Sequence, residues 1–215
     1  AGHPVLTELL ETGQFSVGGT PHQFIVMERG QGMIIADAVI DLASRGERLP
    51  ELETLVLIDL LLDLLHTAHA HDIVYNDVDA KHLFWDRDTY HLKLIDWGNA
   101  VFLEGDESTP QGISRQSDVA QVGELLYFIV TGGRRPDIPR DAGESFKLDF
   151  GEDNDRIHSR LQSIISRAVH PNLRIRFASI AELRKALVDY RTPIQRERDA
   201  LLGRVAERLR RDRSR

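Results

Sequence analysis

The sequence predicts an α+β fold, a small strand pair followed by a mostly helical body with β pieces at its middle. Three observations predict it. Two short apolar runs open the chain, Val5–Leu10 and Phe24–Met27. Long stretches with apolar residues at helical spacing follow. Between the helical stretches lie three short extended pieces, Ile73-Val74-Tyr75, Leu83-Phe84-Trp85 and Leu92-Lys93-Leu94-Ile95, separated by turns rich in Asp.

Taken in order, the opening runs are separated by Gly13, Gly18, Gly19, Thr20 and Pro21, which reads as a β-hairpin with a loose connection. After Gly30 and Gly32 the period changes. Ile34, Ile35, Ala38, Val39 and Leu42 fit one helical face, which stops near Gly46 and Pro50. Residues Leu52–Ala70 are apolar almost all round, so this stretch is expected to be the central buried helix. Residues 103–116, polar and rich in Gly, Ser and Pro, read as an exposed loop. Val119–Val130 is a second strongly apolar helix, ended by Gly132-Gly133, and Ile157–Val169 and Ser179–Tyr190 are two amphipathic ones. No internal repeat or low-complexity tract is present.

Of the 215 residues, 41% are hydrophobic and 28% charged, which places the chain among soluble globular proteins rather than disordered ones. There is no cysteine, which excludes a disulfide framework, thiolate metal sites and a thiol nucleophile, and fits a reducing, cytoplasmic setting. Charge is uneven. Residues 191–215 hold nine Arg against four acids, a balance of +5, and the rest of the chain stands at −12 within a net charge of −7. So acidic a body argues against nucleic acid as a partner.

The chemistry-bearing residues are concentrated in Ile73-Val74-Tyr75-Asn76-Asp77-Val78-Asp79-Ala80-Lys81-His82 and, a short gap later, Leu94-Ile95-Asp96-Trp97-Gly98. These stretches resemble the catalytic loop (H-R-D-L-x-x-x-N) and the metal loop (D-F-G, here with Trp) of the protein kinase superfamily. Flanking matches follow in the family's order. Gln23-Phe24-Ile25-Val26-Met27-Glu28 resembles the strand leading to the hinge. Leu64–His69 resembles the end of the helix that supports the catalytic loop. Ser117-Asp118 with Gly123 resembles the S-D-x-x-x-x-G helix, and Asn172–Phe177 stands where the family has D-P-x-x-R. The resemblance covers roughly residues 3–190.

The resemblance implies a protein kinase-like fold: residues 1–30 a reduced or truncated β-strand N-lobe remnant with the hinge, residues 31–190 a mostly helical C-lobe, and residues 191–215 a basic amphipathic tail or linker. It implies ATP and Mg²⁺ as cofactors. Asp77 would be the catalytic carboxylate that accepts or orients the substrate hydroxyl's proton, Asp96 the metal ligand, and Glu28, Gly30 and His82 cofactor-binding positions. Asp118 is expected to accept backbone N–H bonds from the catalytic loop, and a partner would be a protein substrate or a regulatory protein.

The departures carry as much information. His82 replaces the family's second metal ligand, an Asn, and neutral imidazole favours Zn²⁺, Cu or Fe over Mg²⁺. Asp79 replaces the catalytic-loop Lys, and Tyr75-Asn76 replaces His-Arg. With Thr109-Pro110-Gln111 the nearest text to A-P-E, Arg176 is expected to lack its partner. Nothing before Phe24 supplies a Gly-rich phosphate loop or a V-A-I-K Lys, so a small lobe upstream of Ala1 is expected.

Three functions fit: transfer of phosphate from ATP to Ser/Thr hydroxyls of a protein, a pseudokinase acting as a binding module, and a small-molecule phosphotransferase of the aminoglycoside-kinase kind. His66, His69 and His71 read as core or capping residues rather than metal ligands. Ser108 and Thr109 read as loop residues rather than phosphorylation sites. In the tail, Ile194, Leu201, Leu202, Val205 and Leu209 fall on one helical face, which makes it a linker helix or a segment that touches an anionic membrane.

Overall fold

In a computed structural model, residues 3–103, 109, 112–140, 143 and 145–191 are described. The tail from residue 192, and with it the expected amphipathic face, lies outside them, as does Ser108.

The chain opens with an antiparallel hairpin of β1 (Leu9–Val17) and β2 (Thr20–Met27). The connection is tight rather than loose. Val17 pairs with Thr20, and the two turn residues Gly18 and Gly19 both have positive φ (57° and 85°), a backbone that glycine adopts without strain. The second apolar run, Phe24–Met27, lies in β2 as expected, but of the first run only Leu9-Leu10 enter β1. Val5 is instead buried in the core, its carbonyl accepting the Leu94 N–H at 2.9 Å.

Next, β3 (Met33–Ile34) leads straight into α1 (Ile35–Ser44), and α2 follows (Glu51–His69). As its all-round apolarity predicts, α2 buries Leu55, Leu57, Ile58, Leu61, Leu62, Leu64 and Leu65 at the centre of one core. After β4 (Ile73–Val74) and a short 3₁₀ turn over Ala80–His82 come β5 (Leu83–Asp86), β6 (His91–Leu94) and β7 (Val101–Phe102). The strands form a three-stranded sheet in the order β3-β5-β6 and a separate β4-β7 pair, all antiparallel.

Helix α3 (Arg115–Val130) begins four residues before the expected Val119, because Ser114 supplies the cap: its N–H donates to Ser117 Oγ at 3.1 Å. Helix α4 (Ser159–Ala168) buries Leu161, Ile164 and Ile165, and α5 spans 180–191. Gly123 is where α3 and the end of α4 meet. A side-chain carbon there would come within 2.7 Å of Val169 and 2.8 Å of Ala168, so only glycine permits the approach. Among the described residues, no helix is long and apolar enough to cross a membrane.

Candidate functional site

The segment after β4 must turn sharply from the strand toward α3, and its backbone polar groups need partners that regular structure does not supply. Asp118, fully buried on α3, supplies them. Its Oδ1 accepts the Asn76 N–H (2.7 Å), and its Oδ2 accepts the Tyr75 N–H (3.0 Å) and the His69 Nε2–H (2.7 Å). One helical turn on, Gln121 accepts from the Val78 N–H at 3.0 Å and donates to the Asn76 carbonyl at 3.1 Å. Asn76 sits at φ +60°, a left-handed conformation that Asn tolerates better than most residues. Tyr75 completes the brace. Its hydroxyl donates to the Ile95 carbonyl at 2.7 Å and its ring meets Trp97 edge-on at 4.8 Å.

Two geometric devices then bring the metal-type donors together. The β5-β6 hairpin pairs Leu83 with Leu94, and the Ile95 N–H donates to the His82 carbonyl (3.0 Å), so His82 and Asp96 emerge side by side at one end. The 3₁₀ turn folds His82 back so that its Nδ1–H donates to the Asp77 carbonyl at 3.1 Å. As a result one donor atom from each of Asp77, His82 and Asp96 lies within 4.8 Å of the others. Asn99 donates to Asp77 Oδ2 at 2.9 Å and fixes that carboxylate. Asp96 takes φ +63°, and its Oδ1 accepts the Gly98 N–H at 3.3 Å.

The local field is negative. Burial first, and then the charges of Asp77, Asp96, Asp118 and Asp79, raise the Tyr75 hydroxyl far above its ordinary pKa and keep it protonated. Such a field favours a cation at the mouth of the cluster. Carboxylate and imidazole donors that converge from two separate loops fit a divalent ion of that kind.

Of the other residues singled out from sequence, Glu28 and Gly30 lie against the β5-β6 hairpin that carries the cluster. Glu28 accepts from Lys93 Nζ (2.8 Å) and the Glu8 N–H (3.2 Å), and this bond to Lys93 above all holds its carboxyl below the usual range. Gly30 is pressed against Phe84, whose ring would lie 2.5 Å from any side-chain carbon there. His69 has the structural role expected, while His66 and His71 are exposed. Asp79 caps the 3₁₀ turn, accepting the Lys81 N–H at 3.0 Å. The Thr109 hydroxyl accepts the Ile113 N–H at 3.1 Å.

Arg176, expected to lack the Glu partner of an A-P-E motif, donates to the His170 and Gln116 carbonyls at 2.8 and 3.1 Å. Sequence reasoning missed Gln121 and Asn99. Gln121 could have been found by its i+3 spacing from Asp118, which puts both on one face of α3. Asn99 carries a weaker signal, its place directly after Asp96-Trp97-Gly98.

No family model matches the chain. Among solved structures, the Cydia pomonella granulovirus kinase PK-1 superposes with a TM-score of 0.67 at 20% identity, covering 85% of this chain and 74% of that one. The serine/threonine-protein kinase PknB of Mycobacterium tuberculosis is 22% identical over 214 residues, covering 86% of this chain and 33% of that protein. The probable serine/threonine-protein kinase PknB of Lactococcus lactis is 21% identical over 209 residues, covering 84% of this chain and 31% of that protein. The chain has a protein kinase-like fold, and its sequence is similar to those of serine/threonine-protein kinases. This kinase-like domain spans about a third of the length of the curated relatives it matches.

Proposed function

We propose that the domain carries the large-lobe half of an ATP-dependent phosphotransferase acting on Ser/Thr hydroxyls of a protein, with residues 1–30 belonging to the small lobe and hinge and residues 31–190 to the large lobe. One observation carries this reading: Asp77, His82 and Asp96 converge on one point from two separately braced loops. Asp96 and His82 would hold a divalent ion, whose charge would offset that of the phosphates. Asp77, held by Asn99, would orient the attacking hydroxyl and accept its proton. Glu28 and Gly30 would line the nucleotide's approach beside Phe84.

The test is phosphate transfer from γ-labelled ATP to a Ser/Thr peptide mixture, with Mg²⁺ and then Mn²⁺, using the purified protein. Transfer that falls about 100-fold or more in Asp77→Asn supports the reading, because a positioned base contributes that much. Transfer unchanged in both Asp77→Asn and Asp96→Asn would overturn it.

Asp79 favours a second reading, a binding or regulatory module without turnover. Its carboxylate stands where the resemblance expects a Lys, and the nearest cations, Lys81 Nζ and Arg135 Nη2, lie 3.8 and 3.9 Å away. On that reading Asp79→Lys with His82→Asn gains transfer that the wild type lacks.

A further inference from the structure

His82 is the residue of the cluster that sequence alone leaves hardest to interpret, and its geometry is informative. It is only 7% exposed. Its Nδ1 faces the Asp77 carbonyl at 3.1 Å, and because a carbonyl only accepts, Nδ1 carries the hydrogen. In the neutral ring Nε2 then holds a lone pair, and among the described residues it makes no hydrogen bond. It points at Asp96 Oδ2, 3.7 Å away, another electron-pair donor.

Two donors aimed at each other across this gap match two ligands of a shared cation. With metal–nitrogen and metal–oxygen bonds of about 2.0–2.2 Å, neighbouring ligand atoms stand about 3–3.5 Å apart, within a small side-chain rotation of the distance seen here. The carbonyl bond to Nδ1 is the outer contact that metal-bound histidines commonly make to fix ring orientation.

We propose that this site selects a divalent transition ion of the Mn²⁺-to-Zn²⁺ series over Mg²⁺, with His82 Nε2 and the Asp96 carboxylate as its ligands. The physical reason is donor type. Mg²⁺ is a hard ion that takes oxygen and keeps its water, whereas imidazole nitrogen strengthens binding along the transition series. The inference rests on the reading of this cluster as the cation site of the proposed phosphotransferase and narrows which ion it takes.

The experiment is calorimetric titration of the purified protein with Zn²⁺, Mn²⁺ or Mg²⁺ alone, without nucleotide, on wild type and His82→Asn. His82→Asn is expected to lower Zn²⁺ affinity by about tenfold or more, since even outer-contact losses at metal sites reach that size. Mg²⁺ affinity should stay within about threefold, because the amide oxygen that replaces the ring suits a hard ion. Asp96→Asn should weaken all three.

Zn²⁺ affinity indifferent to His82, or loss of Mg²⁺ binding in parallel with Zn²⁺, would overturn the proposal. Should the variant fail to fold, nitrogen-15 spectra of the wild-type histidine rings decide. Zn²⁺ must shift the His82 Nε2 resonance, and an unmoved resonance overturns the proposal. Zn²⁺ binding through His82 without phosphate transfer would sink the kinase reading alone, and transfer with Zn²⁺ binding indifferent to His82 would sink this inference alone.

Discussion

The β1-β2 hairpin and the Asp77 loop are both irregular in sequence and rich in turn formers, yet the fold treats them in opposite ways. The hairpin leaves its apolar side chains in water: Leu9, Leu10, Phe15, Val17, Ile25, Val26 and Met27 are all exposed, Ile25 by 63%. Its contacts are mostly its own, with Phe15 stacked on His22 and a two-glycine turn closing the strands. The loop is held from outside itself, by Asp118 and Gln121 on α3, with His69 on α2 bonded in turn to Asp118, and by the Tyr75–Ile95 bond. The difference is that the chemistry-bearing backbone is over-determined by the core, whereas the strand pair is specified locally and contributes little to global stability.

The largest expected effect breaks the loop side. Asp118→Ala removes an acceptor shared by three donors and leaves His69 and two backbone N–H groups buried without partners. It should cost about 3–5 kcal/mol, read as a fall in urea midpoint at unchanged slope. A cost below about 1 kcal/mol would mean that water replaces the carboxylate and the loop is less constrained than its bonds indicate.

Gly123→Ala tests the helix crossing beneath that loop. In an exposed helix this change stabilises by about 1 kcal/mol through propensity. Here the added carbon meets Ala168 and Val169 side chains below 3 Å and the Val169 backbone nitrogen at 3.2 Å, so overpacking should win. The net loss should be about 1–3 kcal/mol, checked by the same melts.

A smaller effect is expected at the surface between α2 and α5, where Arg184 donates to Asp59 and Asp63 at 2.9 and 2.5 Å. The Arg184 hydrogen bond holds the Asp63 carboxyl below its ordinary 3.8. A lowered carboxylate contributes stability that is fully present above the unfolded value and is lost as pH falls through the folded one. Asp63 is half exposed, so solvent screening limits Asp63→Asn to about 0.5 kcal/mol at pH 7. Melts of wild type and variant should converge once the pH is below both values.

Smallest of all is the hairpin. Ile25→Thr keeps strand propensity and removes exposed apolar surface, so it should change stability by less than about 0.5 kcal/mol. Amide exchange should be faster in β1 and β2 than in α2 and α3. A loss above about 1.5 kcal/mol would break the comparison, because only a buried side chain costs that much.

By itself the sequence determined the elements whose signal is local and dense. The apolar run of α2, the helical period of α3 and the spacing of Asp77 from Asp96 across a short hairpin all sit within windows that a period or a motif can read. The start of α3 shows the limit of that reading. Arg115 and Gln116 are polar and read as loop, and the Ser114–Ser117 cap decides otherwise. The first strand was misplaced, and the start of the second missed, for a related reason. With both faces of β1 and β2 exposed, no alternation marks their ends, and five turn-forming residues offered several connections. Only the tertiary structure decided the pairing of β1 with β2, the burial of Val5 beside Leu94, the partners of Arg176 and the aim of the His82 ring. The loop hangs on bonds between residues about 40 positions apart, such as Tyr75 and Asn76 to Asp118. A side chain's chemistry is written in its residue type, but which buried donor it meets is set by how the helices pack, and no local pattern encodes that.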